Sequence, residues 1–244
     1  MKRMMKASVA TVLLATAAFA ANAKQASYEM VVLHAEGAAL KRGAVIDGNQ
    51  SLTLRAGSKV TLVGADGKTV TLQGPSTGKP ASLAGGASTG AKAPKKVAAI
   101  LGALLSSEER STRALGVVRS GGPTTAKLPN EWAVNVDQSG TKCVSGDSVK
   151  LWRPDAGKVA TLMIRRAQSA RTAKAEWPAN QEYLPVSSKV FEDGQNYIIS
   201  VNGRSAEMKF NVMPADLDNP TEQAAWMARN NCRDQALAMV DRIR

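Results

Sequence analysis

The chain of 244 residues is poor in the side chains that carry most catalysis and metal binding. It has one histidine, His34, two cysteines, Cys143 and Cys232, and aromatics at only 4%. A zinc site built from several His and Cys ligands needs more of them within one chain, and so does a His-rich iron or copper site. There is no P-loop, no dinucleotide-binding glycine pattern, no GxSxG and no HExxH, so the sequence implies no cofactor. A Ser-His-Asp or Cys-His mechanism would have to run through His34, which stands at the end of a strand pattern. Long apolar runs are also scarce. Beyond the N-terminus the longest is Val97–Leu105, far short of the ~20 residues that cross a bilayer as a helix.

What the sequence does carry begins with an address. Lys2, Arg3 and Lys6 precede the apolar, Ala-rich run Ala7–Ala20, and Ala21-Asn22-Ala23 follows. This order predicts a secretory signal peptide over residues 1–23, cleaved after Ala23. Export places the mature chain in a bacterial periplasm, or beyond it if secreted, without a transmembrane segment and away from nucleic acid. Losing Lys2, Arg3 and Lys6 takes the formal charge from +12 to +9. A basic chain favours anionic partners, here an envelope protein or an anionic envelope component such as a lipid head group or cell-wall glycan. The plainer reading is dispersed charge that aids solubility.

In an exported chain two cysteines suggest a disulfide, and Cys143 and Cys232 are the only intramolecular pair. The bridge would close a loop of about 90 residues, worth up to roughly 4–5 kcal/mol by chain entropy. Free thiols or a bridge between molecules are the alternatives.

Residues 24–75 read as a small β-meander or roll. Tyr28–His34, Gly43–Gly48, Ser51–Leu54, Lys59–Val63 and Lys68–Leu72 are short, β-branched and alternating. Asp47-Gly48 and Asp66-Gly67 supply the positive φ of tight turns, and Ala56-Gly57 marks a third break. Leu52, Leu54, Val60, Leu62, Val70 and Leu72 keep one parity and should line one core face. The order Gly37, Leu40, Gly43, Ile46, Gly48, Leu52, Leu54, Gly57, Val60, Leu62, Asp66-Gly67, Val70, Leu72 resembles the FecR-type β domain. In its name-giving family that domain is the periplasmic part of an iron-dicitrate signal-transducing regulator. The resemblance spans about a fifth of the chain and rests on glycines and aliphatics, so it implies a fold and transfers no functional residue. The regulators carry a cytoplasmic segment and a membrane helix before the domain; this chain has a signal sequence there.

Pro, Gly, Ser and Lys over residues 76–96 predict a flexible linker. Residues 97–120 form an amphipathic helical segment, with Val97, Ile100, Leu101, Leu104 and Leu105 at helical spacing before Gly121-Gly122-Pro123. Docking on a flanking β domain is favoured over a membrane-surface role, which would call for bulkier apolar residues. Residues 129–214 hold seven candidate strands with turn signals between them, the pattern of an Ig-like β-sandwich. Trp132, Trp152 and Trp177 fall in three of those strands, as core or as an exposed platform, with core favoured. Residues 219–244 predict one C-terminal helix capped by Asn219 and packed on the sandwich, with Cys232 in the middle of its apolar stripe. The fold class is therefore mainly β with two helical segments.

Arg165, Arg166 and Arg171 make a basic cluster in or after a long strand. They are a candidate anion contact, or else a charged edge that blocks strand-to-strand aggregation. The function expected from all this is a non-enzymatic periplasmic binding or scaffolding protein. The alternative is an envelope enzyme using paired carboxylates, such as a glycan hydrolase, whose two carboxylates would meet only in the fold.

Overall fold

The computed structural model describes residues 27–85, 96–115 and 128–244, with the backbone path alone at 111–115. The expected signal peptide, the second half of the expected linker and the Gly121-Gly122-Pro123 stop lie outside the described residues.

The roll opens with β1 (Glu29–Glu36), β2 (Val45–Asp47), β3 (Leu52–Leu54), β4 (Lys59–Gly64), β5 (Thr69–Gln73) and β6 (Ser76–Gly78). Four of them form an antiparallel sheet in the order β2-β1-β4-β5, and β3 pairs with β6. Met30, Val32, Leu54, Val60, Leu62 and Leu72 bury one core inside the roll, with Leu52 and Val70 partly buried against it. Asp66-Gly67 turns as expected, with Gly67 at φ +82°. Gly48 does not adopt a positive φ. It is small for a different reason: a Cβ there would sit 2.9 Å from the Met30 sulfur.

The expected linker is ordered where it begins. Ser76–Gly78 is a strand, and α1 (Pro80–Leu83) follows with Pro80 and Ala81 buried. Proline at the first helical position and the Ala81 N–H donating to the Gly48 carbonyl at 2.9 Å hold this turn against the roll.

Strands β1 and β4 are buried on both faces. Val31, Leu33 and Val63 point away from the roll core into a second cluster. That cluster is helical. It takes Val97, Ala98, Leu101, Leu104 and Leu105 from α2 (Val97–Leu115), which is therefore a docked helix.

The sandwich has eight strands: β7 (Ala133–Asn135), β8 (Gly140–Val144), β9 (Ser148–Trp152), β10 (Ala160–Arg166), β11 (Thr172–Trp177), β12 (Tyr183–Ser187), β13 (Asn196–Val201) and β14 (Arg204–Val212). They form a five-stranded sheet, β11-β10-β13-β14-β8, and a three-stranded sheet, β12-β9-β7. The β14–β8 and β7–β9 pairings are parallel and the others antiparallel. Val134, Leu151, Leu162, Trp177, Ile199, Met208 and Phe210 fill the space between the sheets. Asn202 and Gly203, at φ +50° and +80°, make the tight β13–β14 hairpin that their identities require. Trp177 is fully buried and Trp152 nearly so, whereas Trp132 stands in the turn before β7 and packs against the helical cluster.

The C-terminus is two helices rather than one: α3 (Pro220–Arg229) and α4 (Arg233–Ile243). Asn219 caps α3 as expected, its side chain accepting from the Thr221 N–H at 2.8 Å. Asn231 at φ +61° then ends the helix. The Cys232 N–H donates to the Met227 carbonyl at 2.9 Å and the Asn231 N–H to the Ala228 carbonyl at 3.3 Å, a Schellman closure. Asparagine tolerates the left-handed conformation this closure needs. Ala225, Ala236 and Met239 still pack as a stripe, but mainly on α2 and the outer face of the roll sheet. The sandwich touches this layer through Cys143 and Trp132, and Ala238 of α4 packs on the sandwich in a separate cluster with Leu128, Ala133, Trp152 and Tyr183. The two helices thus bridge both β units.

Candidate functional site

Cys143 on β8 and Cys232 at the head of α4 are disulfide-bonded, with their Cα atoms 5.8 Å apart. Strand β8 is an outer strand of its sheet, and Gln235 closes it. The Gln235 carboxamide oxygen accepts from the Cys143 N–H at 2.7 Å. Its nitrogen donates to the Cys143 carbonyl at 2.7 Å and to the Glu131 carbonyl at 3.1 Å. Gln235 did not stand out in the sequence, and Glu131 did so only as one of several acidic residues near turns. The Glu131 side chain is buried and pairs with Arg242 at 2.5 Å.

Two clefts flank this joint. The first has a volume of about 150 Å³ and lies between the start of β8 and the first turn of α4, lined by Ser139, Thr141, Lys142, Arg233 and Asp234 among others. Lys142 is only 8% exposed, and its ammonium has no hydrogen bond or ion pair among the described residues. Burial pulls it below the ordinary lysine range, and the nearby Asp234 carboxylate opposes that shift. The second cleft, about 370 Å³, lies against α3 and is lined by Trp132, Ser145, Ser148, Lys150, Asp218 and Arg242, with Pro220 and Gln223. Each cleft thus has a single carboxylate, Asp234 or Asp218, set among cations. Hydrolysis by paired carboxylates needs two, about 5–10 Å apart.

The basic cluster is dispersed into local contacts. Arg165 donates to the Ala167 and Ser169 carbonyls at 3.4 and 3.3 Å, and Arg166 pairs with Glu192 at 3.0 Å. Both sit on β10, an interior strand between β11 and β13, so the edge-guarding reading is wrong for them. Arg171 lies just before β11, its backbone N–H bound to Ser169 Oγ at 3.1 Å. The structure therefore does not gather the three arginines around one cleft.

His34 is held from both sides. Its Nε2 lies 2.8 Å from Glu36 and its Nδ1 2.9 Å from an Arg244 guanidinium nitrogen. Glu36, two residues along β1, is thus the carboxylate beside His34, and the bond to His34 lowers its pKa. Alternation along a strand puts residues i and i+2 on one face, and the spacing could have revealed this pair. Among the described residues no cluster of three or more His, Cys, Asp and Glu could hold a metal ion, and no helix is long and apolar enough to cross a membrane.

Comparison with known proteins finds no protein-family model that matches the chain and no curated protein that matches it.

Proposed function

We propose that the protein is a non-enzymatic, exported binding or scaffolding module of the bacterial envelope that takes a protein partner by strand addition. The observation that carries this reading is the condition of the sandwich edges. The outer strand β8 is covered by Gln235 and the disulfide. The outer strand β7 is buried along its length, and the outer strand β12 is interrupted by Pro185. The outer strand β11 is left open, with five of its six residues exposed. An open strand edge offers unpaired backbone groups to an extended peptide. The signal-like N-terminus, the disulfide and the FecR-like pattern of the roll support an envelope location. The single carboxylate in each cleft supports binding over glycan hydrolysis.

The test is photo-cross-linking in intact cells, with a photoreactive residue at Ala173 or Ala175 on β11 and, as control, at Arg204 in the β13–β14 hairpin. Capture of one envelope protein in fixed proportion from the β11 positions and not from Arg204 is the expected result. Equal labelling from all three positions, or none from β11, would sink the strand-addition reading.

A further inference from the structure

The first cleft is built like an anion site. A helix usually receives a side-chain cap from Ser, Thr, Asp or Asn. Here the N-cap position of α4 is Cys232, whose sulfur is committed to Cys143, and no side chain caps the helix. Its uncapped first turn, Arg233 to Gln235, lines the cleft. The N-terminal end of a helix carries about half a positive charge and free N–H donors.

Lys142 lines the same cleft from the strand side. It is more than nine-tenths buried and unpartnered among the described residues. An ammonium on a side chain this buried is poorly hydrated, and a bound anion would offset that loss. Arg233 adds a second cation, and the Ser139 and Thr141 hydroxyls add two more donors on the cleft wall. Asp234 is the single opposing carboxylate, and the two cations with the helix end outweigh it.

We propose that this cleft binds a phosphate group. Donors from a strand, a helix end and hydroxyl side chains surround a volume of about 150 Å³ that is open on one side. That arrangement suits a compact tetrahedral oxyanion with several acceptor oxygens better than a planar carboxylate with two. The open side admits either free phosphate or the phosphate end of a larger molecule. The site stands independently of how β11 is used, since it lies at the opposite edge of the five-stranded sheet.

The test is calorimetric titration of the full chain at constant ionic strength with inorganic phosphate, glycerol 3-phosphate and acetate. Saturable phosphate binding is expected, and Lys142→Met should weaken it by about tenfold or more, the loss of one hydrogen bond between charged groups. Asp234→Asn should tighten it several-fold, a gain that misfolding cannot imitate. Glycerol 3-phosphate binding as tightly as phosphate would support the site and assign it to the end group of a larger molecule. Binding of phosphate alone would support it as a free-ion site. Absence of saturable binding up to phosphate on the order of tens of millimolar would overturn the proposal. So would equal affinity for acetate, equal affinity in Lys142→Met, or unchanged or weaker affinity in Asp234→Asn.

Discussion

Gln235 pairs with Cys143 as a neighbouring strand would, its carboxamide oxygen taking the Cys143 N–H and its nitrogen giving to the Cys143 carbonyl, both at 2.7 Å. One side chain of α4 thereby satisfies both main-chain groups of a residue on the outermost strand of a five-stranded sheet. The disulfide holds the same two elements within a few residues of that contact.

Gln235→Leu leaves the Cys143 N–H and carbonyl and the Glu131 carbonyl without this partner at a buried site. The expected cost is about 2–4 kcal/mol, since unsatisfied buried groups lose their full solvation. Urea denaturation of the oxidised protein measures it. A loss below about 0.5 kcal/mol would mean that water replaces the amide.

The disulfide joins residues separated by 89 positions. Replacing both cysteines, Cys143→Ala with Cys232→Ala, should cost up to about 4–5 kcal/mol. Thermal melts of the variant and of the reduced wild type should show matching losses. A reduced wild type far less stable than the double variant would point to strain in the dithiol rather than to loop entropy.

Gly43 and Gly102 meet backbone to backbone where the loop after β1 crosses α2. A Cβ on Gly43, at φ +83°, would lie 2.7 Å from the Gly102 carbonyl oxygen, and a Cβ on Gly102 would lie 2.8 Å from the Gly43 carbonyl oxygen. Gly43→Ala suffers both the clash and the strained φ, and about 2 kcal/mol or more is expected. Gly102→Ala suffers the clash alone and should lose less than Gly43→Ala. Denaturation midpoints of the two variants check the order.

The pH dependence expected from Lys142 has a defined sign. Its native pKa is depressed, so between that pKa and the higher unfolded value the unfolded chain holds the proton more readily than the native one. Stability should therefore rise as pH climbs through the native pKa toward the ordinary lysine value near 10.4. Lys142→Met should be the more stable protein at neutral pH in phosphate-free buffer, with the advantage shrinking across that window. An advantage that does not change with pH would assign the effect to packing.

Much of this was legible in the residues, for physical reasons that can be named. The alternation of Val60, Leu62, Val70 and Leu72 and the Asn202-Gly203 turn encode strands and a hairpin directly. Strand β12 escaped because Pro185 breaks the β pattern, and it is tolerated because the strand is at an edge. The break between α3 and α4 was hidden by an apolar stripe that continues in step across it. Asn230-Asn231 was the available signal. The continuous apolar run Met30–Leu33 was the mark of a strand covered on both faces, visible only as a departure from alternation. Lys142 carried no signal: a lysine beside a cysteine in a strand reads as solvent-facing until α4 is seen to cover it.

The helical layer ties the two ends of the chain into one cluster. Val31 and Leu33, near the start of the described chain, share it with Met239 and Val240, four or five residues from the end. Contacts between such distant positions form late and slow folding. A polypeptide emerging N-terminus first can lay α2 over the outer face of β1, but it cannot complete the layer until Met239 and Val240 of α4 are also free. Until α3 and α4 arrive, the apolar side of α2 that they cover stays open to any chaperone able to hold it.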